Sequence, residues 1–158
     1  MIQQEKQLLL KVLCAELPYG VKAQVMGWDE EKGKEVFVPV NVYSVNTDGY
    51  VYFADNDYDI AYCSIDACRL YLRPLSSMTK EEREEIEIFI FNKWYEEDSC
   101  KIDKEGWIEI LANYDVSGID PGFCSDYVDW LLEHHFDYRG LIPMGLALEA
   151  KEEMYKTS

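Results

Sequence analysis

The stretch Val36-Phe37-Val38-Pro39-Val40-Asn41-Val42-Tyr43, followed by Ser44-Val45-Asn46-Thr47-Asp48-Gly49 and then Tyr50-Val51-Tyr52-Phe53-Ala54, decides the fold class. Strand side chains alternate between two faces, so valine at positions 36, 38, 40 and 42 paints one face apolar. Phe37, Asn41 and Tyr43 fall on the other face. Asn46-Thr47-Asp48-Gly49 reads as a hairpin turn, with Gly49 suited to positive φ, and Tyr50 to Ala54 returns as the partner strand. Pro39 removes a ladder donor, which predicts an edge or a bulge for the first strand.

Working outward, Val21 to Trp28 reads as a further strand before the charged turn Asp29–Gly33, and Ala67 to Leu72 as another. Before them, residues 4–16 carry Leu9, Leu10, Leu13 and Leu17 at helical spacing, and Pro18 stops that helix. After Pro74, Thr79 and Glu82 have the spacing of a capping box. They open a helix whose apolar face is expected to hold Ile86, Phe89, Ile90 and Trp94, with Phe91 and Tyr95 widening it. Trp107, Ile108, Ile110 and Leu111 predict a short helix. Ser125 or Asp126 would cap a last one, with Val128, Leu131, Leu132 and His135 on one face and Gly140 at its end. The expectation is one α+β domain over residues 1–158, β-rich over 17–75 and helix-rich over 76–158. It has a small curled antiparallel sheet in the N-terminal half, packed with helices, and a mainly helical C-terminal half.

Charge excludes several functions. The 158 residues carry 31 acids against 15 bases, a net charge of −16. Of these, 11 acids and 7 bases lie in residues 1–75, and 20 acids and 8 bases in residues 76–158. Phosphate backbones and anionic lipid surfaces are gripped by positive charge, so direct nucleic-acid and membrane binding are not expected. No apolar run is long enough to span a bilayer. The five cysteines, Cys14, Cys63, Cys68, Cys100 and Cys124, are odd in number and contain no C-x-x-C pair, which fits free thiols in a reducing cytoplasm. Lys11 interrupts the apolar patch at the start, and no small-residue cleavage site follows, so no secretory signal is expected.

Three blocks of the chain carry a resemblance. They are Leu17-Pro18-Tyr19-Gly20, Ile65-Asp66-Ala67-Cys68-Arg69-Leu70-Tyr71-Leu72-Arg73-Pro74-Leu75-Ser76-Ser77-Met78-Thr79, and Trp130-Leu131-Leu132-Glu133-His134-His135-Phe136-Asp137-Tyr138-Arg139-Gly140-Leu141-Ile142 with Gly145-Leu146-Ala147-Leu148-Glu149-Ala150. Together these blocks resemble a family of uncharacterised proteins encoded by phages and mobile elements of gut bacteria. The resemblance implies a cytosolic protein of an infected or lysogenic host. It implies no activity, and no functional residue carries over from it.

The candidate site residues are His134, His135, Asp137, Tyr138 and Arg139, which gather both histidines beside an acid, a phenol and a guanidinium. Histidine serves as base or metal ligand near neutral pH. Adjacent helix positions point about 100° apart, however, so the two imidazoles do not converge on one ion. The cluster is read first as a structural helix ending, next as a partner-binding surface, and last as a catalytic centre. No catalytic residue, metal ligand or cofactor is assigned. Asp55-Asn56-Asp57-Tyr58-Asp59 with Asp66 has calcium-loop spacing, but Ile60 stands where that loop needs glycine. No nucleophile elbow, P-loop or dinucleotide fingerprint is present.

The expected role is a non-enzymatic accessory or protein-binding protein of a phage or mobile element, with a protein as partner. Tyr43, Tyr50, Tyr52 and Tyr71 are the candidates for an outward contact strip, and core filling is the more frequent role for such aromatics. Two alternatives stay open. One is an acidic nucleic-acid mimic that occupies a host DNA- or RNA-binding enzyme, its acidity concentrated at the helix start with Glu81, Glu82, Glu84 and Glu85 and around Glu96 to Asp98. The other is an enzyme built on the His134–Arg139 cluster. An enzyme should show a pocket lined by His135 and a second titratable group, and a binding protein a flat or acidic surface with an apolar centre.

Overall fold

The structure, a computed structural model, describes residues 1–55, 59–95, 100–110 and 120–156. It is an α+β protein whose chain divides into two compact units, residues 1–72 with 139–158 and residues 73–138.

The first unit is built on a six-stranded sheet in the order β4-β3-β2-β1-β5-β8. The strands are β1 (Lys22–Asp29), β2 (Lys34–Val45), β3 (Tyr50–Asp55), β4 (Asp59–Ser64), β5 (Arg69–Leu72) and β8 (Ala147–Glu149). Helix α1 (Gln3–Glu16) packs on the valine face: Leu9, Val12 and Leu13 join Val25, Val42, Val51 and Leu70 in one core. At the first turn, Glu5 accepts the Ile2 N–H at 2.9 Å. Each fully buried aliphatic side chain of that core contributes about 1.5–3 kcal/mol of transfer free energy. The Asn46 turn forms as read: its Oδ1 accepts from the N–H of Asp48 and of Tyr50, and Gly49 takes φ +83°.

Pro39 sits in an interior strand, which departs from a simple edge reading and has a local explanation. β2 outruns its neighbour, because β1 pairs with residues 34–41 and β3 only with residues 42–45. Around Pro39 the ladder is therefore open on the β3 side, where a missing N–H costs little. A register shift lies between Val42 and Ser44, so the strand's bulge falls three residues or more beyond the proline rather than at it.

The sheet is mixed, not purely antiparallel. β5 and β8 run parallel, with Leu70 opposite Ala147. β4 and β8 were both unexpected, and β8 returns the end of the chain to the first unit's sheet. The C-terminal half is accordingly not mainly helical, since β6 (Cys100–Ile102), β7 (Ile108–Ile110) and β8 all lie in it.

The second unit combines the β6–β7 hairpin with helical segments α2 (Lys80–Ile86), α3 (Asn92–Trp94) and α4 (Pro121–Glu133). The capping box at Thr79 is complete: its Oγ1 accepts the Glu82 N–H at 3.1 Å, and Glu82 accepts the Thr79 N–H at 2.9 Å. Between α2 and α3, residues Glu87–Phe91 wind as a π turn. Its wider turn swings Phe89 outward, 69 % exposed, and brings Phe91 into the core beside Ile86 and Ile90.

Trp107 to Ile110 was expected as helix and instead turns into β7. Asp103 Oδ1 accepts from the N–H of Glu105 and of Trp107, and Gly106 takes φ +85° in the turn. A Cβ on Gly106 would lie 2.5 Å from the Leu75 carbonyl oxygen, so only glycine fits that close approach. α4 starts earlier than the Ser125 or Asp126 reading. Asp120 is the cap, accepting the Gly122 N–H at 2.7 Å, and Pro121 takes the first helical position, where its missing N–H is harmless.

Candidate functional site

The carboxyl end of α4 carries the histidine pair, and its geometry is a Schellman ending. His134 is the C-cap. The N–H of His135 donates to the Leu132 carbonyl at 3.0 Å, and that of Phe136 to the Leu131 carbonyl at 2.9 Å. His135 occupies the left-handed position that glycine usually takes, with φ +59°, and its side chain is buried. The helix thus ends at Glu133, not at Gly140, and His135 lies beyond it rather than on its apolar face.

The apolar contact that accompanies such an ending is also present, as Phe136 stacks on Trp130 at 5.9 Å between centroids. Trp130 in turn stacks on His134 at 3.8 Å, and His134 Nδ1 lies 2.9 Å from the Trp130 carbonyl oxygen. Arg73, missed from sequence, closes the group. Its guanidinium sits 4.2 Å over the Phe136 ring and makes two 2.8 Å hydrogen bonds to Glu82. Its backbone N–H donates to the His135 carbonyl, and its carbonyl accepts the Asp137 N–H, each at 2.7 Å. The aromatic spacing from Trp130 to Phe136 was the available signal, but the partner strand residue lies far along the chain.

Among the expected site residues, His134, His135 and Asp137 therefore meet around Arg73, chiefly through backbone bonds and stacking. Tyr138 lies in the same unit, where its N–H donates to the Phe136 carbonyl. Arg139 is exposed and begins the other unit's second segment. Glu82 has a carboxyl pKa below its ordinary value. Burial raises it, but hydrogen bonds from Arg73 and from the Thr79 N–H, and the charges of Arg73 and His134, outweigh burial.

A cavity of about 350 Å³ in this unit is lined by Leu75, Gly106, Trp107, Ile108, Tyr127, Val128, Leu131 and Tyr138. His135 is not in its wall. The lining holds no carboxylate, imidazole, amine or thiol, and burial with the nearby Asp103 charge pushes the Tyr127 hydroxyl up to about 12. The cavity therefore offers apolar contact and hydroxyl donors, not acid–base chemistry. Among the described residues, no group of three or more His, Cys, Asp or Glu side chains is placed to hold a metal ion. Residues 56–58 of the calcium-type stretch lie outside the described residues, and Asp66 pairs with Lys6 at 2.7 Å.

Part of the acidic helix start, with Glu87 after it, is engaged within this unit, and Glu96 to Asp98 lie outside the described residues. Glu82 holds Arg73, Glu84 pairs with Lys80 at 3.4 Å, Glu85 accepts the Trp130 indole N–H at 3.3 Å, and Glu87 accepts the Ile102 N–H at 3.0 Å. Counted by unit, residues 73–138 hold 17 acids and 6 bases, and the sheet unit 14 acids and 9 bases.

The less acidic unit exposes several large apolar side chains on one face of its sheet. In register, Met26 faces Phe37, Trp28 faces Glu35, Tyr52 faces both Ser44 and Tyr62, and Tyr50 faces Ser64, all on the side of the sheet opposite α1. Trp28 and Phe37 are each 64 % exposed, Tyr62 63 %, and Ile60, which shares β4 and this face, 70 %. Tyr62 packs edge-on against Tyr50 at 5.6 Å and tilted against Tyr52 at 5.8 Å. Of the tyrosine strip read from sequence, Tyr43, Tyr50 and Tyr52 belong here, but Tyr71 is buried. The Tyr155 hydroxyl donates to the Tyr71 carbonyl at 2.7 Å and accepts the Lys22 N–H at 2.9 Å, bringing the chain's end over that strand.

No helix among the described residues is long and apolar enough to cross a membrane. Compared with the known protein families, the curated proteins and the solved structures, the chain matches none significantly.

Proposed function

We propose that this chain is a non-enzymatic, protein-binding accessory protein, of the phage or mobile-element kind that its sequence resembles, and that the outer face of its six-stranded sheet is the contact surface. One observation carries the reading: Met26, Trp28, Phe37, Tyr50, Ile60 and Tyr62 share a single sheet face and are each at least 42 % exposed. Large aromatics supply most of the binding energy at protein interfaces, and on this face the exposed side chains lie in two groups, Met26, Trp28 and Phe37 on β1 and β2, and Tyr50 and Tyr62 on β3 and β4. A patch centred on aromatics, in the less charged unit of a chain of net charge −16, fits a partner with an apolar centre and a basic or neutral rim.

The alternative readings have less support. Of the carboxylates at the start of α2, Glu82 is held by Arg73, Glu84 pairs with Lys80 and Glu85 accepts the Trp130 indole N–H, which leaves fewer of them to imitate a phosphate row. The histidine pair is spent on ending α4, and the apolar cavity lacks a general base.

The test replaces Trp28 and Phe37 together with serine. Both are mostly exposed, so the fold should survive while capture of a partner from bacterial lysate is lost. Retention of the same partner by the double variant would remove this face from the account.

A further inference from the structure

The cavity in the second unit is assembled from stretches of chain that meet only on folding. Tyr127, Val128 and Leu131 lie on one side of α4, at spacings of one and four residues. Trp107 and Ile108 come from the β6–β7 hairpin, and Leu75 from the 3-10 turn before α2. The frame is held by backbone and ring contacts. The Trp107 N–H donates to Asp103 Oδ1 at 2.8 Å, and the Asp103 N–H to the Trp107 carbonyl at 2.9 Å, which closes the hairpin turn. Gly106 seats that turn against the Leu75 backbone, where a Cβ would not fit. On the α4 side, the Tyr127 ring stacks on Phe123 at 6.0 Å between centroids and lies 6.1 Å from Phe91, both core residues.

Two observations point to a ligand. Leu131 is buried, but Trp107 and Ile108 are 62 % and 38 % exposed, so the mouth of the cavity leaves large apolar side chains in water. The Tyr127 hydroxyl, which burial keeps protonated at neutral pH, has no hydrogen-bond partner among the described residues. Small-molecule sites have this lining, mostly apolar with a few polar groups that fix orientation.

The same features set the ligand's chemistry. The volume of about 350 Å³ is near the lower end of the range for such sites, about 300–1,000 Å³. It is more than twice the cavity of about 150 Å³ that takes up one benzene ring. No charged side chain is in the lining, so an ion entering it would lose water without gaining a counter-charge. A net charge of −16 on the chain opposes an anion further.

We propose that this cavity binds a small, flat, uncharged compound of about two fused rings bearing one hydroxyl or carbonyl group, with the Tyr127 hydroxyl as its hydrogen-bond partner and the Trp107 indole as its cover. The site belongs to the unit of residues 73–138 and is independent of the protein-contact face proposed for the sheet.

The experiment uses naphthol, uncharged at neutral pH, beside naphthalene, which lacks the hydroxyl, and naphthoate, an anion on the same rings. Binding to the folded full chain is measured by equilibrium dialysis and by the amide NMR signals of Trp107, Val128 and Leu131. One naphthol should bind per chain and shift all three signals. Tyr127→Phe should weaken naphthol about two- to tenfold, the range for one neutral hydrogen bond, and leave naphthalene unchanged. Naphthoate should bind at least about tenfold more weakly than naphthol. Val128→Phe fills the cavity and should abolish binding. Ile108→Phe, at the mouth, is the second filling variant should the first fail to fold, and unfolding curves tell the two cases apart. Trp28→Ser with Phe37→Ser changes the other unit and should bind naphthol as wild type does. Absence of saturable naphthol binding by wild type, equal binding by a folded filled variant, or naphthoate held as tightly as naphthol would overturn the proposal.

Discussion

Arg73 and Glu82 are joined twice, by hydrogen bonds of 2.8 Å from each terminal nitrogen of the guanidinium to a different carboxylate oxygen. The same guanidinium covers the Phe136 ring, and the same carboxylate closes the capping box of α2. One ion pair therefore fastens the start of α2 to the end of α4. Both side chains are about one-fifth exposed, so the charges are largely removed from water and depend on each other. Arg73→Ala should lower unfolding free energy by about 2–3 kcal/mol, the range for hydrogen bonds to charged groups. Arg73→Lys should recover only part of that, because an ammonium cannot make the two-pronged contact. Urea unfolding midpoints at constant slope measure both.

The pair also sets an acid limit. The Glu82 carboxyl lies below its ordinary value in the folded protein, so it binds its proton more weakly there than in the unfolded chain. Its contribution is complete above the unfolded value of about 4.3 and is lost as pH falls through the lower folded value. Wild type should lose stability on acidification below that point, and Glu82→Gln should flatten this limb while lowering stability at neutral pH. Unfolding curves collected across the acid range check it, and equal slopes in the two proteins would refute it.

His135 offers a test of the helix ending itself. At φ +59° any residue with a Cβ bears a left-handed cost of about 1–2 kcal/mol that glycine escapes. His135→Ala and His135→Gly both lose the imidazole, so their difference isolates the backbone. The glycine variant should be the more stable by about 1 kcal/mol. Inside a helix the order would be the opposite, alanine ahead by about the same amount.

Gly106→Ala should be more damaging than an ordinary turn substitution. The new Cβ meets both a positive φ and the Leu75 carbonyl oxygen at 2.5 Å. The backbone of the β6–β7 turn or of Leu75 must shift, and a loss of about 2 kcal/mol or more is expected by thermal or urea unfolding.

How much of this was legible in the sequence depended on how local each signal was. The valine alternation, the Asn46 turn and the Thr79–Glu82 capping box lie within a few residues of their partners, and all three stand as read. β8 was illegible because three residues carry no period, and its partner β5 is far away in the chain. His135 was misplaced because Leu131, Leu132 and His135 keep helical spacing past the last helical residue, while the usual glycine signal stood later, at Gly140. Phe89 was misplaced because a π turn changes the spacing without any mark in the residue types. Tyr43, Tyr50 and Tyr52 could be put on one face from alternation alone. Adding Trp28 and Phe37 required the register that sets Met26 against Phe37, and removing Tyr71 required its burial, which alternation does not reveal.

The most direct measurement of the central claim is quantitative capture from bacterial lysate on immobilised wild type, Trp28→Ser/Phe37→Ser and Arg139→Ala, with each protein's unfolding curve as the control for fold. Loss of two interface aromatics costs at least about 2 kcal/mol, so the partner held by wild type should be reduced more than about tenfold on the double variant. Arg139→Ala should hold it as wild type does. A partner captured equally by wild type and by the folded double variant, or no partner captured by wild type at all, would contradict the account.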